Sequence, residues 1–348
     1  MTNQFYIARS KGPLRKMSSE KTETRFPVTS EEVSRLPLRE RIGVSINAKD
    51  AVEGLKRVTE AEDAGVKQVW MTSMAVGATD TLSFCALAAR QTKEIRLGTS
   101  IMQIYSRHPV TAAQQALLAQ DAAPGRLRLG IGTSHQHINE GQYGVSMKRP
   151  LAYLTEYVAV LRSILWQGHV EFEGRFFKTK YSAPRVAHVP ILVAALGTRS
   201  YGIAGQISDG VISWMCPPSY LFRKAIPALK EGARVRNRPV PPVVAQISVA
   251  FSEDKEAVYK AANAAIGRYP KLPFYSHMMD EAGLPAGDEV TRFRAVVDSM
   301  VISGNENTVK EGLLNLIRQG LDELLVMLVP VSDEENERKR LYELVGSL

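Results

Sequence analysis

Short apolar runs alternate with amphipathic stretches from about residue 41 to the end of the chain. The runs are RIGVSI (41–46), VKQVWMT (66–72), IRLGTSIM (95–102), RLRLGIG (126–132), VPILVAA (189–195), DGVISWM (209–215), VVAQISVAF (243–251) and LDELLVMLVP (321–330). A strand covered on both faces reads as a continuous apolar run, so these predict buried strands. Helical spacing follows each of them. After the first, Val52, Leu55, Val58 and Ala61 recur on one face and Gly65 closes the helix. TLSFCALAARQT, the stretch from Val110 to Gln120, LAYLTEYVAVLRSILW, TRSYGIAGQI, the stretch from Ser219 to Arg234, DKEAVYKAANAAIG and DEENERKRLYELVGSL read likewise, as do two helices near 289–299 and 305–319. The segment GHVEFEGRFFKTKY (168–181) instead alternates apolar and polar around Gly174, which predicts a β-hairpin. A patch over 268–288 has no clear period.

Strands alternating with helices imply a parallel sheet with right-handed crossovers. Eight such units over about 300 residues fit a closed barrel better than an open sheet. The expected fold is α/β: a (β/α)8 TIM barrel over residues 39–348, with a β-hairpin insertion after the fourth unit. Residues 1–38 lack a steady apolar period and are rich in Ser, Thr, Lys, Arg and Glu, so they are expected to form a flexible N-terminal extension.

Composition narrows the function. Hydrophobic residues make up 45% and charged residues 23%, ordinary values for a chain with a core able to enclose a small-molecule site. Two cysteines, Cys85 and Cys216, exclude a disulfide framework and suit a reducing compartment, so a cytoplasmic location is expected. No apolar run approaches the roughly 18 residues of a membrane span, and the N-terminus lacks a secretory apolar core. Residues 1–41 hold nine Lys/Arg against five Asp/Glu, half of the net charge of +8; the five acids argue against a transit peptide. The remaining excess is a weak case for nucleic acid, because neither an RNA-binding aromatic signature nor a helix-turn-helix is present. It does suit an anionic cofactor.

In a (β/α)8 barrel, chemistry sits at the C-terminal ends of the strands. The residues there are Asn47, Thr72–Ser73–Met74, Ser100–Ile101, Thr133–Ser134–His135, Ala195–Leu196–Gly197–Thr198, Trp214 and Gln246. AALGTRS (194–200) ends a strand in small residues and opens a helix, a pattern that offers backbone N–H groups to a phosphate. It equally fits an ordinary strand-to-helix turn with Thr198 as N-cap. The small residues of GTS-I (98–101) either let a planar ring lie against the backbone or pack a tight strand end. His135 and His137 follow the fourth strand, but no carboxylate or cysteine cluster completes a metal site, so no metal is expected. His135 suits acid–base work or a cofactor contact, whereas His108 reads as structural beside Pro109. No G-x-S-x-G, P-loop or G-x-G-x-x-G is present.

AEDAGVKQVW, IRLGTSIMQIYSRHPV, PGRLRLGIGTSH, LAYLTEYVAVLRSIL with VEFEGRFFK, and VPILVAALGTRSYGIAGQISDGVISWM occur in that order. Together they resemble the bacterial-luciferase-like superfamily of flavin- and F420-dependent oxidoreductases over about residues 41–330. MAVGATDTL, GTSHQHINEGQYG and RYPKLPFY are most similar to an F420-dependent subgroup. The resemblance implies an enzyme that transfers a hydride between coenzyme F420 and a small organic substrate. The alternative is an FMN-dependent monooxygenase using reduced flavin and oxygen.

It also implies a non-prolyl cis peptide at Ser100–Ile101, with Thr99 beside it, forming a bulge that backs the cofactor ring. A phosphate site is implied at Leu196–Gly197–Thr198 with Ala195 alongside, and a loop of Thr133, Ser134 and His135 touching the ring or its side chain. Where many F420-using relatives carry an acid then His, this chain has Ser73–Met74; His135 stands where sugar-phosphate dehydrogenases have Glu. These departures argue against sugar-phosphate oxidation and leave Ser73 and His135 as the catalytic candidates. Trp214, Tyr105 and Met74 are the expected substrate wall, with simple core packing the alternative for Trp214 and Tyr105. A homodimer through the helices around strands two and three is expected.

Overall fold

The computed structural model describes residues 28–76, 79–285 and 287–348, leaving aside the side chains of 74–76. Eight parallel strands close on themselves: β1 Ile42–Ala48, β2 Gln68–Val76, β3 Arg96–Thr99, β4 Leu127–Gly132, β5 Ile191–Ala195, β6 Gly210–Ser213, β7 Val243–Ala250 and β8 Glu323–Leu328. The ladder runs from β1 to β8 in order, and closes where Val44 pairs with Val326. Each predicted unit is present, so the (β/α)8 expectation holds. The hairpin is also present, pairing His169–Glu173 with Lys178–Ser182.

The structure adds features that the periodicity did not resolve. Val301–Ser303 forms a short strand that extends the sheet beside β7, between the two helices predicted near 289–299 and 305–319. The helix after β6 is broken into Pro218–Tyr220, a π-turn over Leu221–Ala225, and Ile226–Val235. Within the segment expected to be a flexible extension, Ser30–Ser34 is a helix packed on the body. The Ser30 amide donates to the Val240 carbonyl at 2.8 Å and Val33 is buried. The packed body therefore reaches back before residue 39; residues 1–27 lie outside the described ones.

The barrel interior is filled in layers. At the N-terminal end of the strands Arg128 and Glu323 form a buried ion pair, and Gln68 bonds both. Above them, Trp70, Leu192, Ile212, Val244 and Leu325 form an apolar layer, on which Ile101 and Trp214 rest. The lower end is thus stoppered, and only the C-terminal end offers a mouth. On the outside, helix Thr198–Ile207 lies hard against Ile226–Val235. A Cβ on Gly232 would sit 2.0 Å from the Gly202 carbonyl oxygen, so only glycine permits that approach. This crossing fixes the helix whose N-terminus opens at the mouth.

Candidate functional site

At the end of β3 the peptide Ser100–Ile101 is cis. The strand stops at Thr99, and the ladder resumes where Met102 and Gln103 pair with Ile131 and Gly132. The Ser100 amide donates to the Met71 carbonyl at 2.7 Å, tying the bulge to β2. Ile101 leans onto the interior layer, while the buried Ser100 hydroxyl has no partner among the described residues. The space at Gly98 is taken: a Cβ there would lie 2.3 Å from Trp70 Cε3. Its smallness thus makes room for an indole of the protein rather than for a bound ring. Thr99 is fully buried and its hydroxyl donates to the Gly130 carbonyl at 2.7 Å, so it braces β3 on β4.

At the end of β5, Ala195 is buried, while Leu196, Gly197 and Thr198 are partly exposed. The N-cap is Gly197, not Thr198, and no side chain caps the helix. Ser200 folds back instead, its hydroxyl accepting from the Leu196 amide at 3.0 Å and donating to the Gly197 carbonyl at 2.6 Å. The buried Tyr220 hydroxyl donates to the Leu196 carbonyl at 3.1 Å and also meets the Thr198 amide. The Gly197 and Arg199 amides have no acceptor among the described residues. A Cβ at Gly197 would meet nothing within 4 Å. Uncapped amides at the positive end of a helix are favourable neighbours for an anion.

Beyond β4, Ser134 adopts a left-handed conformation (φ 58°) and His135 stands at the N-cap position of the short helix Gln136–Gly141 without a side-chain capping bond. The loop is held from beneath by the fully buried Asn139, whose amide donates to the Thr133 carbonyl at 2.7 Å. His135 is half-buried. Burial lowers its pKa, and the neighbouring His137 and Arg268 push it further down. Its ring lies parallel to that of His137 at 5.5 Å and 6.0 Å from that of Tyr275. Tyr275 contacts Tyr269 at 5.1 Å, and Tyr269 contacts Trp214 at 6.4 Å. A row of rings thereby links the end of β4 to the end of β6, the two strands flanking β5.

A family model described as luciferase-like monooxygenase matches residues 36–323. The chain belongs to that family. This luciferase-like chain is 28% identical over 314 residues to a putative coenzyme F420-dependent oxidoreductase of Mycobacterium tuberculosis, covering 82% of this chain and 85% of that one. Matches to three mycobacterial proteins of undescribed activity are 30% identical over 214 residues, 57% of this chain and 63% of theirs, so they span just under two thirds of those relatives. The fold is shared with an F420-dependent secondary alcohol dehydrogenase in complex with an F420-acetone adduct, with TM-score 0.70 and 17% identity over 87% of this chain and 97% of that one. It is also shared with the oxygenating constituent of 3,6-diketocamphane monooxygenase from Pseudomonas putida in complex with FMN, with TM-score 0.67 and 14% identity over 88% and 96%.

The luciferase-like barrel sorts the other candidates. Trp214 stands on the interior layer, and its indole N–H is buried without a partner among the described residues. Tyr105 stacks on Tyr153 at 4.3 Å in a cluster with Tyr157 and Phe177, and its hydroxyl is also buried without a partner among the described residues. Ser73 receives a hydrogen bond from the Gln103 amide at 3.4 Å; among the described residues no hydrogen bond joins it to His135. Met74 lies in β2, but its side chain is outside those described. Among the described residues no group of three metal-binding side chains converges. Sequence reading gave Tyr269, Tyr275, Arg268 and Asn139 no role, although the first three lie in RYPKLPFY, one of the stretches that carried the resemblance.

Proposed function

We propose that this chain is an oxidoreductase that transfers a hydride between coenzyme F420 and a small organic substrate. The observation that carries the reading is the uncapped helix N-terminus at Gly197, at the same end of the barrel as the bulge at Ser100–Ile101 two strands along, in a chain similar along most of its length to a putative F420-dependent oxidoreductase. The site fits such a group: a cradle that a side chain at Gly197 would fill, and a buried Ser100 hydroxyl without a partner.

When bound, F420 would supply a two-electron hydride carrier. The residues have separate tasks. The Gly197 and Arg199 amides, with Ala195, Leu196 and Thr198 beside them, would hold its phosphate. Ser100 and Ile101 would back its ring, and Thr133 and Ser134 would flank it. His135, neutral at pH 7, would accept or relay a proton, with Ser73 as the second polar group. Trp214 would bound the substrate.

The alternative reading, an FMN-dependent monooxygenase fed by a separate flavin reductase, is favoured by the fold shared with an FMN-bound monooxygenase. Side-by-side fluorescence titrations with F420, FMN and FAD test both. Saturable quenching by F420 alone is the expected result; preferential FMN binding would replace the proposal with the alternative. A homodimer through the helices after β2 and β3, which carry the exposed Leu87 and Leu118, would be detected by light scattering. Among the described residues no helix is long and apolar enough to cross a membrane. Both cysteines are buried and unpaired, which supports a reducing cytoplasmic setting.

A further inference from the structure

The row of rings from His135 to Trp214 runs from the end of β4 to the end of β6 through Tyr269 and Tyr275, which belong to the turn Tyr269–Lys271 and the helix Pro273–Glu281 beyond β7. Tyr269 and Tyr275 are largely buried and meet edge to face at 5.1 Å and 64°, so their rings are held in place by the protein's own packing. No carboxylate belongs to the row. Its single cation, Arg268, lies over the Tyr269 ring at 5.1 Å and makes no ion pair among the described residues. Near its β6 end the Trp214 N–H is shielded from water and unpartnered, a donor in want of an acceptor.

We propose that the substrate is a flat, unsaturated ring compound bearing a carbonyl oxygen, with its ring against Tyr269 and Tyr275 and its oxygen on the Trp214 indole N–H. This rests on the oxidoreductase reading and assigns the substrate class of that site. Flat rings match aromatic walls by stacking or edge contact. A site built to hydrogen-bond one oxygen rejects the same ligand without it, because the buried donor is then left unpaired.

The test uses the full chain, with and without oxidised F420, and three probes: 2-acetonaphthone, 2-ethylnaphthalene of the same shape without the oxygen, and glucose 6-phosphate. Indole 15N labelling gives three tryptophan signals, for Trp70, Trp166 and Trp214, the last identified by Trp214→Phe. The expected result is that the ketone shifts the Trp214 N–H signal and binds about fivefold or more tighter than the hydrocarbon. Trp214→Phe should abolish that preference while retaining ring binding, and Tyr269→Ala should weaken both ring ligands about tenfold. Equal affinity for ketone and hydrocarbon, an unmoved Trp214 signal in the unaltered protein, or displacement of the ketone by glucose 6-phosphate would each overturn the substrate class. F420 quenching in the same samples reports the cofactor reading separately: it stands if F420 binds while the ketone fails, and falls alone if the ketone binds and F420 does not.

Discussion

Arg128 grips Glu323 with both arms of its guanidinium, Nη1 to Oε2 at 2.6 Å and Nη2 to Oε1 at 2.7 Å, directly beneath the ring of Trp70. The pair is buried and closes the lower end of the barrel. Burial pushes the Glu323 pKa up, but Arg128, Arg96 and the Gln68 amide outweigh it and hold the carboxyl below its ordinary value. Removing one partner leaves a buried charge without compensation, so Arg128→Met should lose about 3–5 kcal/mol of stability, read from the urea midpoint. The sign of the pH dependence follows from the lowered pKa. The contribution is complete above the unfolded value of about 4.3 and is lost as pH falls through the lower folded value. In Glu323→Gln the acid limb of the stability profile should be shallower; an unchanged limb would mean that other carboxylates govern acid unfolding.

A second prediction concerns Gly98. Its missing side chain is where the Trp70 indole lies, and a Cβ would come within 2.3 Å of ring carbon Cε3. The ring rests on the rest of the interior layer, so it has little room to retreat. Gly98→Ala should cost about 1–3 kcal/mol by overpacking, and Trp70 fluorescence should shift as the ring is displaced. A stability unchanged from the parent chain would show that the layer is softer than its contacts imply.

These two pairs show which parts of the molecule were legible in the sequence. The strands were, because each is apolar on both faces and each is followed by helical spacing. The strand-to-helix turn at Ala195–Thr198 was, because a strand ending in small residues before a helix is a local pattern. What Gly98 makes room for was not, since the glycine and the indole that fills its space are on neighbouring strands. The Arg128–Glu323 pair joins residues 195 positions apart, and the contact from Trp214 to Tyr269 crosses from one βα unit to the next. The docked helix Ser30–Ser34 escaped for another reason. It buries a single residue, Val33, so its period is too short to stand out.

His135 should titrate below an ordinary histidine. Burial is the largest cause, followed by the like charges of His137 and Arg268. Arg268→Gln removes one of those charges, so the His135 pKa should rise while its burial is unchanged, which the Cε1–H shift in an NMR titration would report. An unmoved pKa would exclude Arg268 as a neighbour in solution. A lowered folded pKa also means that the unfolded chain takes up the proton first as pH falls. The stability tied to His135 is therefore complete above about pH 6.5 and lost below it. His135→Gln should flatten the stability profile across that window.

Gly197 offers the sharpest separation of folding from binding. Its φ of −83° suits any residue, and a side chain there would meet nothing within 4 Å. Gly197→Leu should therefore leave stability within about 0.5 kcal/mol of the parent chain, the range of surface substitutions away from special features. The same side chain would stand in the open space before the Gly197 and Arg199 amides, where an anionic group is proposed to sit. F420 affinity should fall at least tenfold, or about 1.4 kcal/mol, with Gly197→Ala losing less because a methyl group fills less of the cradle. A Gly197→Leu protein that binds F420 as tightly as its parent would move the phosphate elsewhere on the mouth. One that binds weakly and also unfolds early would show that the turn serves stability, leaving the anion cradle without support.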